Sequence, residues 1–184
     1  VYIIPHDDEF LSEYIPPENE RLAWATGFTG SAGTAIIRSH DAAIFIDGRY
    51  TVQVKQQVND DIYDICQLAN KPIIQWMKNK LDDNTRLGYD PRLHRVNSIN
   101  TMTKYLKNKA IFIPMNENPI DIHWNDRPKP STDHALLLDI KYAGVSSLEK
   151  RKNIGKIISR NKCDAAFITR LDSIAWILNI RGND

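Results

Sequence analysis

The sequence predicts an α/β domain with a mixed central sheet flanked by helices, followed by the start of a second unit. Three observations lead there. Short β-branched runs alternate with segments of helical spacing. Two of the runs, residues 34–37 and 42–46, stand a hairpin apart, which makes part of the sheet antiparallel. A polar stretch at residues 125–131 carries two prolines and interrupts the apolar pattern, as a linker does.

Taken in order, residues 1–4 form the first expected strand, and Pro16-Pro17-Glu18 leads into a short helix around Glu20–Trp24, with acids at its N-terminal end. The hairpin at 34–37 and 42–46 turns at Ser39-His40-Asp41. Residues 50–58 form the next helix, 62–66 a strand, 72–81 a helix opening on Pro72, 98–106 a helix and 110–114 a strand. Ile73, Trp76, Met77 and Leu81 fall on one stripe, as do Ile99, Met102, Tyr105 and Leu106. Beyond the linker, Ser146-Ser147-Leu148-Glu149 is a capping box that opens a basic helix to about Asn161, with Leu148, Ile154, Ile157 and Ile158 as its stripe. A strand at 165–169 and an apolar segment at 174–180 follow. The predicted division is 1–128 for the first domain and 129–184 for a part too short to enclose its own core well.

Composition narrows the function. Among 184 residues, 42% are hydrophobic and 26% charged, the balance of a folded globular protein rather than a disordered one. Lys and Arg number 24 against 23 Asp and Glu, so the net charge of +1 leaves no basic excess for nucleic acid. The apolar stretches fall well short of the ~18 residues of a membrane span. Cys66 and Cys163 stand far apart, in no metal or redox spacing, and read as two reduced core thiols, which fits a cytosolic protein. The chain opens on Val1-Tyr2-Ile3-Ile4-Pro5, without a starting Met or signal pattern, and closes on Arg181-Gly182-Asn183-Asp184; both ends read as cut from a longer protein.

Several polar clusters invite chemistry. Gly27-Phe28-Thr29-Gly30-Ser31-Ala32-Gly33 follows a helix and opens a strand, the reverse of a nucleotide loop, and reads as a tight connection. His6-Asp7-Asp8-Glu9 has metal-ligand composition, but consecutive residues rarely converge on one ion, so it reads as a solvated strand-end loop. His40, His94, His123 and His134 are scattered, and Ser12, Ser31 and Ser173 lack a nucleophile elbow. Asp47-Gly48-Arg49-Tyr50 follows an apolar strand, where ligands of α/β sheets tend to sit. The guanidinium of Arg49 suits carboxylate or carbonyl oxygens, or it simply pairs with Asp47 to cap the next helix.

Six blocks in order resemble the N-terminal part of the Xaa-Pro aminopeptidase (aminopeptidase P) family: Ser12-Glu13-Tyr14-Ile15, the Thr26–Ala35 stretch, Asp47-Gly48-Arg49-Tyr50, Glu117-Asn118-Pro119-Ile120-Asp121, Trp124-Asn125-Asp126-Arg127-Pro128 and the run from Leu171 through Trp176 and Asn179 to Asp184. The resemblance is to the three-domain cytosolic type, in which two creatinase-like domains precede a catalytic domain. It implies a parent that releases the N-terminal residue from peptides with proline at the second position, a cytoplasmic location and a homodimer formed by the full-length protein. It also implies two divalent metal ions, usually manganese, held by carboxylates and a histidine of a catalytic domain that lies outside this chain. This chain is then expected to bind no metal, nucleic acid or membrane, to carry no catalytic residue and to be inactive alone. Carried over residue by residue, Arg49 helps to hold the peptide at the active-site rim, with Asp47 and Tyr50 supporting it. The rivals are a non-catalytic creatinase-like module that binds protein partners, and a creatine-type amidinohydrolase, against which the closing block argues.

Overall fold

The computed structural model describes residues 1–70 and 72–182. The chain divides into two units, Val1–Pro128 and Lys129–Asp184, each packed chiefly against itself.

The first unit is built on six strands: β1 (Tyr2–Pro5), β2 (Gly33–Ile37), β3 (Ala42–Ile46), β4 (Tyr63–Gln67), β5 (Thr85–Tyr89) and β6 (Ala110–Pro114). They lie in the order β4-β3-β2-β1-β5-β6. Only β2 runs against the others: β1–β2 and β2–β3 are antiparallel, while β3–β4, β1–β5 and β5–β6 are parallel. The hairpin between β2 and β3 closes where Arg38 N–H donates to the Asp41 carbonyl at 2.9 Å, with the Arg38 guanidinium forked on the Asp41 carboxylate.

Both faces of the sheet are apolar and both are covered. Ile3, Ile36, Ala43 and Phe45 point to one side, under α3 (Ile73–Lys80) and α4 (Val96–Tyr105), with Trp76, Met77 and Leu106 completing that core. Ile4, Ala35, Ile44 and Ile46 point to the other, under α1 (Arg21–Thr26) and α2 (Gln53–Gln57), with Leu22, Phe28 and Val54. Strict alternation along each strand thus feeds two cores, and every residue of β3 is buried. Each of the larger side chains there, such as Phe45 or Ile44, contributes about 1.5–3 kcal/mol by leaving water.

α5 (Pro119–His123) closes the unit against α1. The Arg21 guanidinium, 2% exposed, donates to both Asp121 oxygens at 2.6 and 3.0 Å. Arg127 reaches the same carboxylate at 2.9 Å and donates to the Glu18 carbonyl at 2.7 Å. Trp124 stacks on Trp24 with ring centroids 5.9 Å apart. Asn118 caps α5, accepting the Ile120 N–H.

The second unit pairs two short strands, β7 (Leu136–Leu137) and β8 (Ile180–Arg181), and carries α6 (Ile140–Ala143), α7 (Ser147–Arg160) and α8 (Leu171–Leu178). The Ser146 hydroxyl accepts the Glu149 N–H at the start of α7. Lys150 is buried, donating to the Asn179 side-chain oxygen at 2.6 Å and the Trp176 carbonyl at 2.9 Å, its ammonium over the Trp176 ring. Asn179, left-handed at φ 54°, ends α8 and donates to the Val145 carbonyl.

Four expectations are corrected. β5 joins the expected strands as an addition, because Thr-Arg-Leu-Gly-Tyr carries little apolar signal. Residues 50–58 split into a 3-10 turn at Gly48–Tyr50 and the shorter α2. Residues 165–169 form no strand and are exposed, because no other extended segment among the described residues pairs with them. Cys66 lies in the core, but Cys163 is exposed; it follows the end of α7, where none of the described residues covers it. The stripe of α7 likewise stays open: Leu148 and Ile157 are each 55% exposed.

Candidate functional site at the C-terminal edge of the sheet

Because β1, β3, β4, β5 and β6 run one way and β2 the other, five strand ends and the start of β2 share one edge. The loops leaving that edge hold the polar residues singled out in the sequence.

Arg49 follows β3. The Asp47 carboxylate accepts the Arg49 N–H at 2.9 Å, starting the 3-10 turn, and also binds the Arg49 guanidinium at 2.6 and 3.0 Å. The Arg49 hydrogen bonds hold the Asp47 carboxyl below the usual carboxylate range. The guanidinium lies over the Tyr50 ring, 5.2 Å from its centroid, and its side chain remains 67% exposed. Tyr50 in turn shares a 2.6 Å hydroxyl–hydroxyl bond with Ser31 and meets Phe28 edge-on. Asp47, Arg49 and Tyr50 therefore form one assembly, to which the fold adds Ser31. A lone serine nineteen residues upstream gives no sequence signal for that contact. The outer face of the guanidinium stays open to solvent, so a carboxylate or carbonyl could be met there without dismantling the Asp47 pair.

The Gly-rich connection is closely packed. Gly27 takes φ +80°, and a Cβ there would stand 2.8 Å from the Gln57 carbonyl oxygen. At Gly30 a Cβ would strike the Phe28 ring at 2.3 Å. Thr29 is stitched to α2, its N–H donating to the Gln57 side-chain oxygen at 3.0 Å.

The loop after β1 is not the solvated one its sequence suggests. Asp8 is 1% exposed and its carboxylate accepts the Phe10 and Ser12 N–H groups, each at 2.9 Å. The acid is needed to close its own turn, which pulls it inward. His6 Nδ1 and Glu20 Oε2 are buried 4.0 Å apart without a hydrogen-bond partner; burial lowers the imidazole pKa and raises that of the carboxyl. Burial also raises Asp7 to about 6, against a smaller pull from Arg95. After β5, Asp90 is 1% exposed. Burial pushes its carboxyl up, but donors from Arg92 and Asn118 outweigh that and hold it below the usual range. His94, edge-on to Tyr89, is lowered to about 4 by burial. Among the described residues no three His, Cys, Asp or Glu side chains come together as a metal site requires, so these residues do not fit a metal pair.

A family model described as the creatinase/prolidase N-terminal domain matches residues 6–120, and a second model of the same description matches 126–184. The whole chain aligns at 33% identity with 29% of a Laccaria bicolor protein named probable Xaa-Pro aminopeptidase P, and at 36% with 26% of Arabidopsis thaliana aminopeptidase P2. The crystal structure of a Caenorhabditis elegans X-prolyl aminopeptidase, described as a cytosolic enzyme with a di-nuclear active site, superimposes with a TM-score of 0.84 at 28% identity, over 98% of this chain and 30% of that one. The chain spans less than a third of the length of these relatives.

Proposed function

Since the chain belongs to the creatinase/prolidase N-terminal domain family, we propose that it is the front part of a metallo-aminopeptidase that removes the N-terminal residue from peptides with proline in second place. The observation that carries the reading is the superposition on the X-prolyl aminopeptidase of Caenorhabditis elegans, at a TM-score of 0.84 along nearly the whole chain. Residues 1–128 are the creatinase-like N-terminal domain and residues 129–184 the first part of a second such domain.

In this reading the parent holds two divalent ions, manganese in our proposal, on ligands outside these residues; when bound they supply an activated water. The chain itself supplies shape and one positioned cation. An Xaa-Pro bond lacks an N–H and fixes φ at proline, so recognition falls to the carbonyls and the chain terminus. Arg49, presented at the end of β3 and fixed from behind by Asp47 and Tyr50, donates to such an oxygen. The di-nuclear, cytosolic description of the nematode relative supports the metal pair and a cytoplasmic location. A homodimer of the full-length protein completes the proposal.

The test is release of arginine from Arg-Pro-Pro by the full-length parent, lost on chelation and restored by Mn²⁺. A full-length parent that stays inactive with every divalent metal supplied would overturn the reading in favour of a protein-binding module.

A further inference from the structure

A cavity of about 610 Å³ opens at the same edge, between the first turns of α3 and α4. Its lining combines apolar Ile3, Ile74 and Met102 with polar Asp7, Thr34, His94, Ser98 and Thr101. Arg49 does not line it. The topology explains why a crevice lies there. From β1 the chain leaves through α1 toward β2 on one side, whereas from β5 it leaves through α4 toward β6 on the other. Neighbouring strands whose connections diverge leave a gap beyond their C-terminal ends, where ligands of open α/β sheets bind. Asp7 comes from the loop after β1 and His94 from the loop after β5, one from each lip of that gap.

Asp7 sets the chemistry. It is half-buried, and no hydrogen bond or ion pair to a described residue engages its carboxylate. Asp8, its neighbour, is 1% exposed, commits Oδ1 to its own turn and does not line the cavity. A half-buried carboxylate with no hydrogen-bond or ion-pair partner among the described residues, at the wall of a partly apolar cavity of this size, is the feature of a binding site rather than of a solvated loop. We infer that this cavity is a small-molecule site that takes an ammonium compound with a compact apolar body, its charge against Asp7 and its body over Ile3, Ile74 and Met102. The charged groups acting on Asp7 among the described residues are Arg95 at the start of α4 and Asp8 in its own loop; His94 lines the same cavity, and α3 presents only apolar side chains there. His94 stays neutral at and above pH 5, its pKa lowered to about 4. Asp7, raised to about 6, is thus the group that changes charge between pH 5 and 7.

The probe is 3-methylbutylamine, with 3-methylbutan-1-ol as its uncharged counterpart, each titrated into the 184-residue chain and followed by backbone amide shifts. The amine is expected to saturate, moving the Thr34, Ser98 and Thr101 amides, and to bind on the order of 10-fold more tightly than the alcohol. Its affinity should fall about 10-fold from pH 7 to pH 5, following the ionised fraction of Asp7. Asp7→Asn should bring the amine down to the alcohol's affinity and remove the pH dependence. Thr101→Trp, at an exposed position of the lining, should block both probes with Asp7 intact. Equal affinity for amine and alcohol, an unchanged amine affinity in Asp7→Asn, or no saturation below about 50 mM each overturns the assignment.

Discussion

Arg49 and Arg21 show how differently two arginines of one unit are used. Arg21 is sealed between α1 and α5 with Asp121 across a bidentate contact, and Arg127 shares the same carboxylate. Removing Asp121 leaves a buried guanidinium without its counter-charge, so Asp121→Ala should cost about 3 kcal/mol, a fall on the order of 10 °C in Tm. A Tm within about 2 °C of the parent chain would mean that the pair is solvated and contributes little. Arg49 is exposed, and its pairing with Asp47 is short-range and open to water. Arg49→Ala should leave the melting curve nearly unchanged while lowering kcat/KM of the full-length parent about 10- to 100-fold on Arg-Pro-Pro. Arg49→Lys should rescue poorly, since a point charge does not reproduce the fork. Wild-type kinetics in Arg49→Ala would reduce the Asp47 pair to a cap for the 3-10 turn. Arg49 is legible in the sequence because an apolar strand followed by Asp-Gly-Arg-Tyr marks a strand end. Arg21 is not, because its partner lies 100 residues away.

At the scale of elements, the strands that announce themselves are those buried on both faces, β3 above all. β5 is hidden because its side chains, Thr85, Arg86, Leu87, Gly88 and Tyr89, offer one strong apolar residue; its place between β1 and β6 is fixed by parallel pairing that no local pattern encodes. The loops after β1 and β5 are hidden for a related reason. Asp8 and Asp90 look like surface acids until the turns they close bring them inside. Those loops also hold an opposed pair of titrations. The native state keeps Asp7 protonated up to about pH 6 instead of the ordinary 3.8, so its contribution to stability is present in acid and is lost as pH rises toward 6. His94 behaves inversely: lowered from 6.5 to about 4, it contributes stability above pH 6.5 that is lost as pH falls toward 4. The two slopes oppose each other, and Asp7→Asn should expose the histidine alone. Its Tm should then drop more steeply than that of the parent chain between pH 6.5 and pH 4, while at pH 7 it should be equal or higher. Superimposable Tm–pH curves for the two would show that Asp7 is solvated in solution.

For the molecule as a whole, the two units differ in how far each closes its own core. The first buries both faces of a six-stranded sheet under helices, and its central strands have hydrogen-bonded neighbours on each side. The second joins α7 to α8 through Lys150, Trp176 and Asn179, yet leaves Phe167 at 95% and Trp176 at 51% exposure. Residues 165–169 carry the sequence of a strand, Ala-Ala-Phe-Ile-Thr, with no backbone partner among the described residues. If residues 129–184 are the first part of a second creatinase-like domain, that segment is a strand awaiting the neighbours that further sequence supplies. Amide exchange follows opening of the hydrogen bond, so an unpartnered exposed amide exchanges near the rate of an unfolded chain. In the 184-residue chain, the amides of residues 165–169 should therefore exchange orders of magnitude faster than those of Ala42–Ile46 in β3. In the full-length parent the same amides should become protected, because pairing and burial arrive together. Slow exchange at 165–169 in the short chain would show that this unit already pairs its strand, and unprotected amides in the parent would remove the segment from any second sheet.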